Sequence, residues 1–194
     1  DADDVIEHPE TIRDVAKKAD AEKLNIVFGF YHYGFDNDGN CCAAHWKERL
    51  VKNTPNLRWN KKIHENIIPV STIGHRWEMD DRLLVRHNIK SEEEILESQK
   101  RNIKFLLDEY NQDKDKTDPR TIAYLGRVLF SFGDYKRARY FLEKHIALSG
   151  WDEDRHLSWC QLADLHRLQK DYKQAIACGF EALAERPDLP DGYL

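Results

Sequence analysis

An α+β fold is predicted for the 194-residue chain by three features of its order. Up to residue 90, short aromatic and β-branched runs alternate with polar turns, broken by one short helical pattern. From Ser91 the apolar residues recur at helical spacing instead. Within that helical part, Gly133-Asp134-Tyr135-Lys136-Arg137-Ala138 returns as Lys170-Asp171-Tyr172-Lys173-Gln174-Ala175, an offset of 37 positions from 133 to 170. A strand-rich segment followed by an all-helical one favours segregated layers over a βαβ alternation.

The chain opens on Asp1-Ala2-Asp3-Asp4. Three carboxylates in four residues do not enter a core, because each unpaired buried charge costs several kcal/mol. They suit either open water, as an acidic terminus, or a hard divalent cation that takes one or two carboxylates and leaves sites for a phosphate. Pro9 sits well at a first helical turn, and Ile12, Val15, Ala16 and Ala19 share one face, so residues 9–19 are predicted helical. Residues 26–33 read as a strand, Asp36 to Asn40 as a turn, and residues 41–51 as the returning partner. The turn resembles the opening of a calcium loop, but Lys47 stands where that loop needs a glutamate, so a hairpin tip is predicted. Short strands follow at 49–53, 57–59, 63–69 and 70–74. Residues 78–90 are charged and without clear period, and are predicted to form a mobile loop; from residue 76 this stretch is a candidate lid over a ligand.

Ser91 with Glu94 forms a capping box, with Glu92 and Glu93 at the positive end of the helix it starts. Ile95, Leu96, Gln99, Ile103, Leu106, Leu107 and Tyr110 give one long amphipathic helix. Residues 111–117 are a polar link, and Asp118-Pro119 restarts the helical pattern. In each repeat copy the first helix carries leucines (Leu125 and Leu129; Leu162, Leu165 and Leu168), Asp134 or Asp171 caps the second helix, and Ala138 or Ala175 permits close approach. Gly133 suits a left-handed helix end, and Lys170 departs from it. Tyr124, Phe130, Phe132, Tyr135 and Tyr172 are assigned to the core. The domains expected are 1–90, a linking helix over 91–117, and repeats over 118–194, divided as 119–155, 156–189 and the start of a third.

Composition narrows the function classes. A formal net charge of -5 with dispersed Lys and Arg gives no footprint for nucleic acid. No apolar run approaches the ~20 residues of a membrane span. Cys41, Cys42, Cys160 and Cys178 match neither a disulfide framework nor a zinc spacing, so reduced thiols in the cytoplasm are expected.

The helical repeat resembles tetratricopeptide repeats, whose period is about 34 residues, with the extra length at Ser149-Gly150-Trp151-Asp152. Upstream, Asp1-Ala2-Asp3-Asp4-Val5-Ile6, the Pro9 helix, Phe30-Tyr31-His32-Tyr33, Arg49-Leu50-Val51, Arg58-Trp59 and Ile63-His64-Glu65 occur in an order that resembles the second half of a family 2 glycosyltransferase. More narrowly, the whole chain is similar to the bacterial type fused to C-terminal tetratricopeptide repeats. The resemblance implies a partial GT-A-type α/β domain with a mixed sheet, followed by an all-α repeat array. It also implies a fragment, with a nucleotide-binding βαβ half expected upstream and little nucleotide-sugar affinity without it.

In such enzymes an Asp-x-Asp segment holds Mn2+ or Mg2+ against the diphosphate of a nucleotide sugar. The resemblance places metal ligands at Asp1 and Asp3, with His75 as a late third ligand, and donor contacts at Asp4 and Arg76. It implies inverting transfer to a glycan, lipid or peptide acceptor, with a general base at Glu65 or His64, the choice being open. Trp77 is a candidate for stacking on a sugar, whereas Trp59 is assigned to packing. A concave repeat surface suits an acceptor peptide or protein partner. The competing prediction from the same residues is a non-catalytic repeat scaffold for protein–protein contacts.

Overall fold

Residues 26–35 explain most of the first unit's architecture. Ile, Val, Phe and Tyr crowd this run, and it becomes β2 (Ile26–Phe35), an interior strand of a four-stranded mixed sheet. The computed structural model describes residues 4–36, 38–61, 63, 65–70, 74–88, 90–112 and 116–189. Two units divide the chain, Asp1–Lys90 and Ser91–Leu194.

In the first unit, β1 (Val5–Ile6) leads through a 3-10 turn at Pro9–Thr11 into α1 (Ile12–Ala21). After β2 comes β3 (Cys41–Val51), its antiparallel partner. The connecting turn is organised by Asp36, whose carboxylate accepts from the Asp38 and Asn40 backbone N–H groups while Gly39 takes φ +83°. β4 (Leu57–Asn60) and β5 (Asn66–Pro69) form a separate two-stranded ribbon. Leu57 and Ile67 tie that ribbon to Ile26, with Phe28 and Val51 packed alongside. On the other side, Val15 and Leu24 pack with Val27 and Leu83.

The predicted loop over 78–90 is instead a strand, β6 (Trp77–Arg86), and it lies between β1 and β2. It runs parallel to β2 and antiparallel to β1, which gives the mixed sheet. A donor lid does not form there, because this segment is spent on the sheet. The charged stretch is accommodated by an irregularity: Phe28 pairs with Met79 but Phe30 pairs with Leu84, so the intervening residues leave the regular ladder. Asp80 is buried in that detour and is neutralised locally by a two-pronged contact from Arg82, Nε at 2.9 Å and Nη2 at 2.6 Å. Arg82 holds the Asp80 carboxyl below its ordinary value against the opposing effect of burial.

In the second unit, α2 (Glu92–Gln112) begins with the expected box, in which Ser91 Oγ accepts from the Glu94 N–H and Glu94 accepts from the Ser91 N–H. Two helical hairpins follow, α3 (Pro119–Phe132) with α4 (Tyr135–Leu148), and α5 (Asp152–Leu168) with α6 (Tyr172–Glu185). Asp118, Asp134 and Asp171 each cap a helix by accepting a backbone N–H. The segment from Pro190 onward, expected to start a third copy, lies outside the described residues. α2 does more than link: its Ile103, Leu106 and Tyr110 are buried, and Glu109 accepts from Thr121 Oγ1 of α3.

The hairpin core is made of Ile122, Leu125, Leu129, Leu142, Leu162 and Leu165, all essentially inaccessible. Truncating any one of them to Ala costs about 2–5 kcal/mol. Of the aromatics assigned to this core, Tyr124 and Phe130 are half-buried. Tyr172 is 60% exposed, and Phe132 and Tyr135 are also exposed, because the inner faces are taken by leucines and small residues. A side chain at Gly126 would meet Leu142 Cγ at 2.8 Å, so glycine there sets how closely α3 and α4 approach. Among the described residues no helix is long and apolar enough to cross a membrane.

Candidate functional site

Asp4 immediately precedes β1, and its side chain is only 8% exposed. Among the described residues, partners come from or beside β2, β3 and β6. Tyr31 of β2 donates its hydroxyl to Asp4 Oδ1 at 3.0 Å. His87, just past β6, places Nδ1 3.0 Å from the same oxygen and 2.8 Å from the Tyr31 hydroxyl. Arg49 of β3 brings Nη1 to 3.7 Å from Asp4 Oδ2 and lies over the Tyr31 ring at 4.4 Å.

The pairing explains why these residues meet. Val5 is opposite Arg86 and Ile6 opposite Val85, while Tyr31 is beside Val85 and His32 beside Arg86. The His87 N–H then donates to the His32 carbonyl, which fixes the imidazole at the strand end next to Asp4. Burial works to raise the Asp4 carboxyl, but opposing interactions, the hydrogen bond with His87 first among them, hold the group below its ordinary value. In the tautomer that donates Nδ1–H to that carboxylate, the free lone pair of the ring is on Nε2. A carboxylate orienting an imidazole in this way is the usual support for a metal-ligating histidine.

His75 and Arg76 lie at the other end of the sheet. Arg76 uses its backbone to hold the start of β2, its carbonyl accepting from the Asn25 and Ile26 N–H groups. Ile26 pairs with Trp77 and His32 with Arg86, so six residues of β2, roughly 20 Å, separate Arg76 from the Asp4 end. The structure therefore does not bring His75 and Arg76 to Asp4; it brings His87. Sequence spacing had one signal for this: His87 comes two residues after the apolar run Leu83-Leu84-Val85, near the position of a residue presented at a strand end.

Asp1, Asp3 and His64 lie outside the described residues. Glu65 is half-buried just before β5. Trp59 is 62% exposed rather than packed, and Trp77 is 59% exposed with its ring edge-on to Phe28 at 5.7 Å. Among the described residues no group of three or more His, Cys, Asp and Glu side chains is placed to hold a metal ion. Asp4 alone does not make such a site, since its oxygens already serve Tyr31, His87 and Arg49. A cation at this end would need Asp1 and Asp3 beside His87.

The second unit contains a constellation with the membership of a hydrolytic triad. His145 Nδ1 lies 2.8 Å from Ser158 Oγ, and its Nε2 lies 3.4 Å from Asp154 Oδ2. Ser158 and His145 are fully buried, and Asp154 is also paired with Arg127 at 2.5 Å. No substrate reaches that serine, so the array is a packing device. The same unit has a groove of about 790 Å3 lined by residues of α3, α5 and α6, among them Arg127, Asp164, Tyr172, Ile176 and Phe180.

No protein-family profile matches the chain, and no curated protein matches it in sequence.

Proposed function

We propose that the chain belongs to a metal-dependent glycosyltransferase that moves a sugar from a nucleotide-sugar donor to a glycan, lipid or peptide acceptor. In this reading residues 1–90 form part of a GT-A-like domain of the family 2 type, and residues 118–194 are tetratricopeptide-like repeats that hold the acceptor or a partner protein. The observation that carries the reading is the convergence of Asp4, Tyr31 and His87 at the strand end directly after Asp1-Ala2-Asp3. Asp1 and Asp3 with His87 Nε2 supply the hard and borderline donors that Mn2+ or Mg2+ accepts. The bound ion's chemistry is to neutralise charge developing on the departing nucleoside diphosphate.

Within the protein, Asp4 acts one step back. It fixes the His87 ring and its tautomer, while Tyr31 fixes Asp4. His87 takes the part expected of His75. Glu65, or its neighbour His64, accepts the acceptor's proton as the acceptor hydroxyl attacks the anomeric carbon, the inverting course.

Turnover of nucleotide sugars by the full-length protein should require Mn2+ or Mg2+ and disappear in Asp3→Asn. Undiminished turnover in that variant refutes the assigned role. A second reading, a non-catalytic scaffold, is favoured by the groove along α5 and α6 and by the exposed apolar residues of α6, Ile176 at 61% and Phe180 at 67%. A scaffold leaves every nucleotide sugar intact whatever the metal.

A further inference from the structure

His156 and Cys160 take no part in the function proposed above. They stand one helical turn apart on α5, so their side chains share a face. His156 is fully buried, and its Nδ1 lies 2.8 Å from the Ala182 carbonyl oxygen of α6. A carbonyl only accepts, so Nδ1 carries the proton and the lone pair of the neutral ring is on Nε2. Nε2 lies 3.6 Å from Cys160 Sγ. Cys160 is in no disulfide, is half-buried, and lines the groove of about 790 Å3. A thiol in a groove wall, a base behind it and a carbonyl that fixes the base are the parts of an activated nucleophile.

Packing of the hairpin does not call for this pair. In the first repeat copy, 37 positions earlier, Pro119 and Ala123 occupy the equivalent places. Cys178 is the contrasting case of a packing cysteine: it is buried with Leu142 and Leu162, and burial pushes its thiol up.

The groove selects the reagent. Its lining includes Leu157, Ile176, Phe180 and Leu183. Its two arginines are already engaged, Arg127 with Asp154 and Arg167 with Asp164, so an anionic reagent finds no spare charge. Among the described residues no second cysteine lines it, so a mixed disulfide formed there would meet no resolving thiol. A neutral electrophile with an apolar tail fits, and one that adds without a leaving group asks nothing further of the site.

We infer that Cys160 is a modification site for neutral α,β-unsaturated carbonyl compounds with an apolar chain, the chain lying on Ile176 and Phe180. Sγ adds to the β-carbon, and the C=C π pair moves toward the carbonyl as an enolate. His156 Nε2 takes the thiol proton and returns it to the α-carbon. One S–C and one C–H bond replace the S–H bond and the π bond, with no oxidant, reductant or leaving group. The adduct fills the groove that the scaffold reading assigns to a partner; the inference itself does not rest on the sugar-transfer reading.

The test is peptide mass spectrometry of the full-length protein treated with trans-2-nonenal, acrylamide or iodoacetate, following each cysteine. With trans-2-nonenal, Cys160 should react about tenfold or more faster than the exposed Cys41 and Cys42, while Cys178 stays unmodified. With iodoacetate, Cys41 and Cys42 should react first. His156→Asn keeps an N–H for the Ala182 carbonyl and deletes Nε2, so it should slow Cys160 about tenfold or more and leave Cys41 and Cys42 unchanged. Phe180 is 67% exposed, so Phe180→Ser leaves the fold intact. It should slow trans-2-nonenal at Cys160 roughly fivefold and acrylamide by less than about twofold. A Cys160 rate no higher than that of Cys41 and Cys42 with trans-2-nonenal, a rate indifferent to His156→Asn, or an equal preference for Cys160 with iodoacetate overturns the inference. If His156→Asn opens the helical unit, Cys178 is labelled as well and Phe180→Ser decides alone; an unchanged ratio of trans-2-nonenal to acrylamide rates then overturns it.

Discussion

Replacing Gly29 with alanine should cost the first unit about 2–3 kcal/mol. A Cβ at this position would lie 2.5 Å from the Leu83 carbonyl oxygen and 2.9 Å from Leu83 Cβ, as well as 2.8 Å from Arg49 Cγ. The arginine stem can swing away, but the Leu83 carbonyl belongs to the backbone of β6, and Leu83 is packed against Val15, Leu24 and Val27. Overpacking of this kind costs typically about 1–3 kcal/mol, and a backbone obstacle places it at the upper end. Alanine recovers about 0.4–1 kcal/mol by restricting the unfolded chain. The net loss corresponds to a urea midpoint lower by roughly 1 M or more for a small domain. Tryptophan fluorescence mixes the two units, since Trp46, Trp59 and Trp77 lie in one and Trp151 and Trp159 in the other. Hydrogen exchange of peptides from β2 and β6 during the titration reports the first unit alone. Gly74→Ala is the control, because nothing lies within 4 Å of its added Cβ. If Gly29→Ala stays within about 0.5 kcal/mol of that control, the close approach of the Leu83 backbone is not a constraint.

Lys170 occupies the helix-end position filled by Gly133 in the first hairpin, and it takes the same left-handed conformation with φ +62°. Lys170→Gly should stabilise the helical unit by about 0.5–1 kcal/mol, the left-handed penalty less the added chain entropy, read as a higher thermal midpoint. His145 first, then Arg127 against the effect of burial, holds the Asp154 carboxyl below its ordinary 3.8. That depressed value contributes stability that is present above pH 3.8 and is lost as pH falls through the folded-state value. Asp154→Asn should therefore cost about 3 kcal/mol at pH 7, by stranding Arg127, and its deficit should shrink below pH 3.8 in urea titrations across pH. An equal deficit at pH 7 and pH 3 would contradict the charge account.

The helical half was readable because its signals are local. Ser91 with Glu94, Asp118 before Pro119, and Asp134 and Asp171 before their helices each work through a bond to a backbone group three or four residues away at most. The hairpin at Asp36 is local in the same sense. β6 was hidden because the acid that should exclude it from an interior strand, Asp80, is satisfied by Arg82 two residues on, a pairing that hydrophobic period does not register. The site was half legible. Asp4 stood out as a member of an acidic tetrad, but His87 and Arg49 reach it through a parallel strand register and a bulge, both long-range facts. Without β6 as a strand, nothing in the sequence set His75 apart from the Asp4 end, although it lies before β6 and His87 after it.

The proposed function stands or falls on whether a divalent cation binds beside His87. Electron paramagnetic resonance of Mn2+ bound to the full-length protein with a nucleoside diphosphate tests it, comparing Asp3→Asn, His87→Ala and His75→Ala. One bound Mn2+ per chain is predicted, lost or strongly weakened in Asp3→Asn and His87→Ala and retained in His75→Ala. Retention in His87→Ala with loss in His75→Ala, or no bound Mn2+ in the parent, would contradict it.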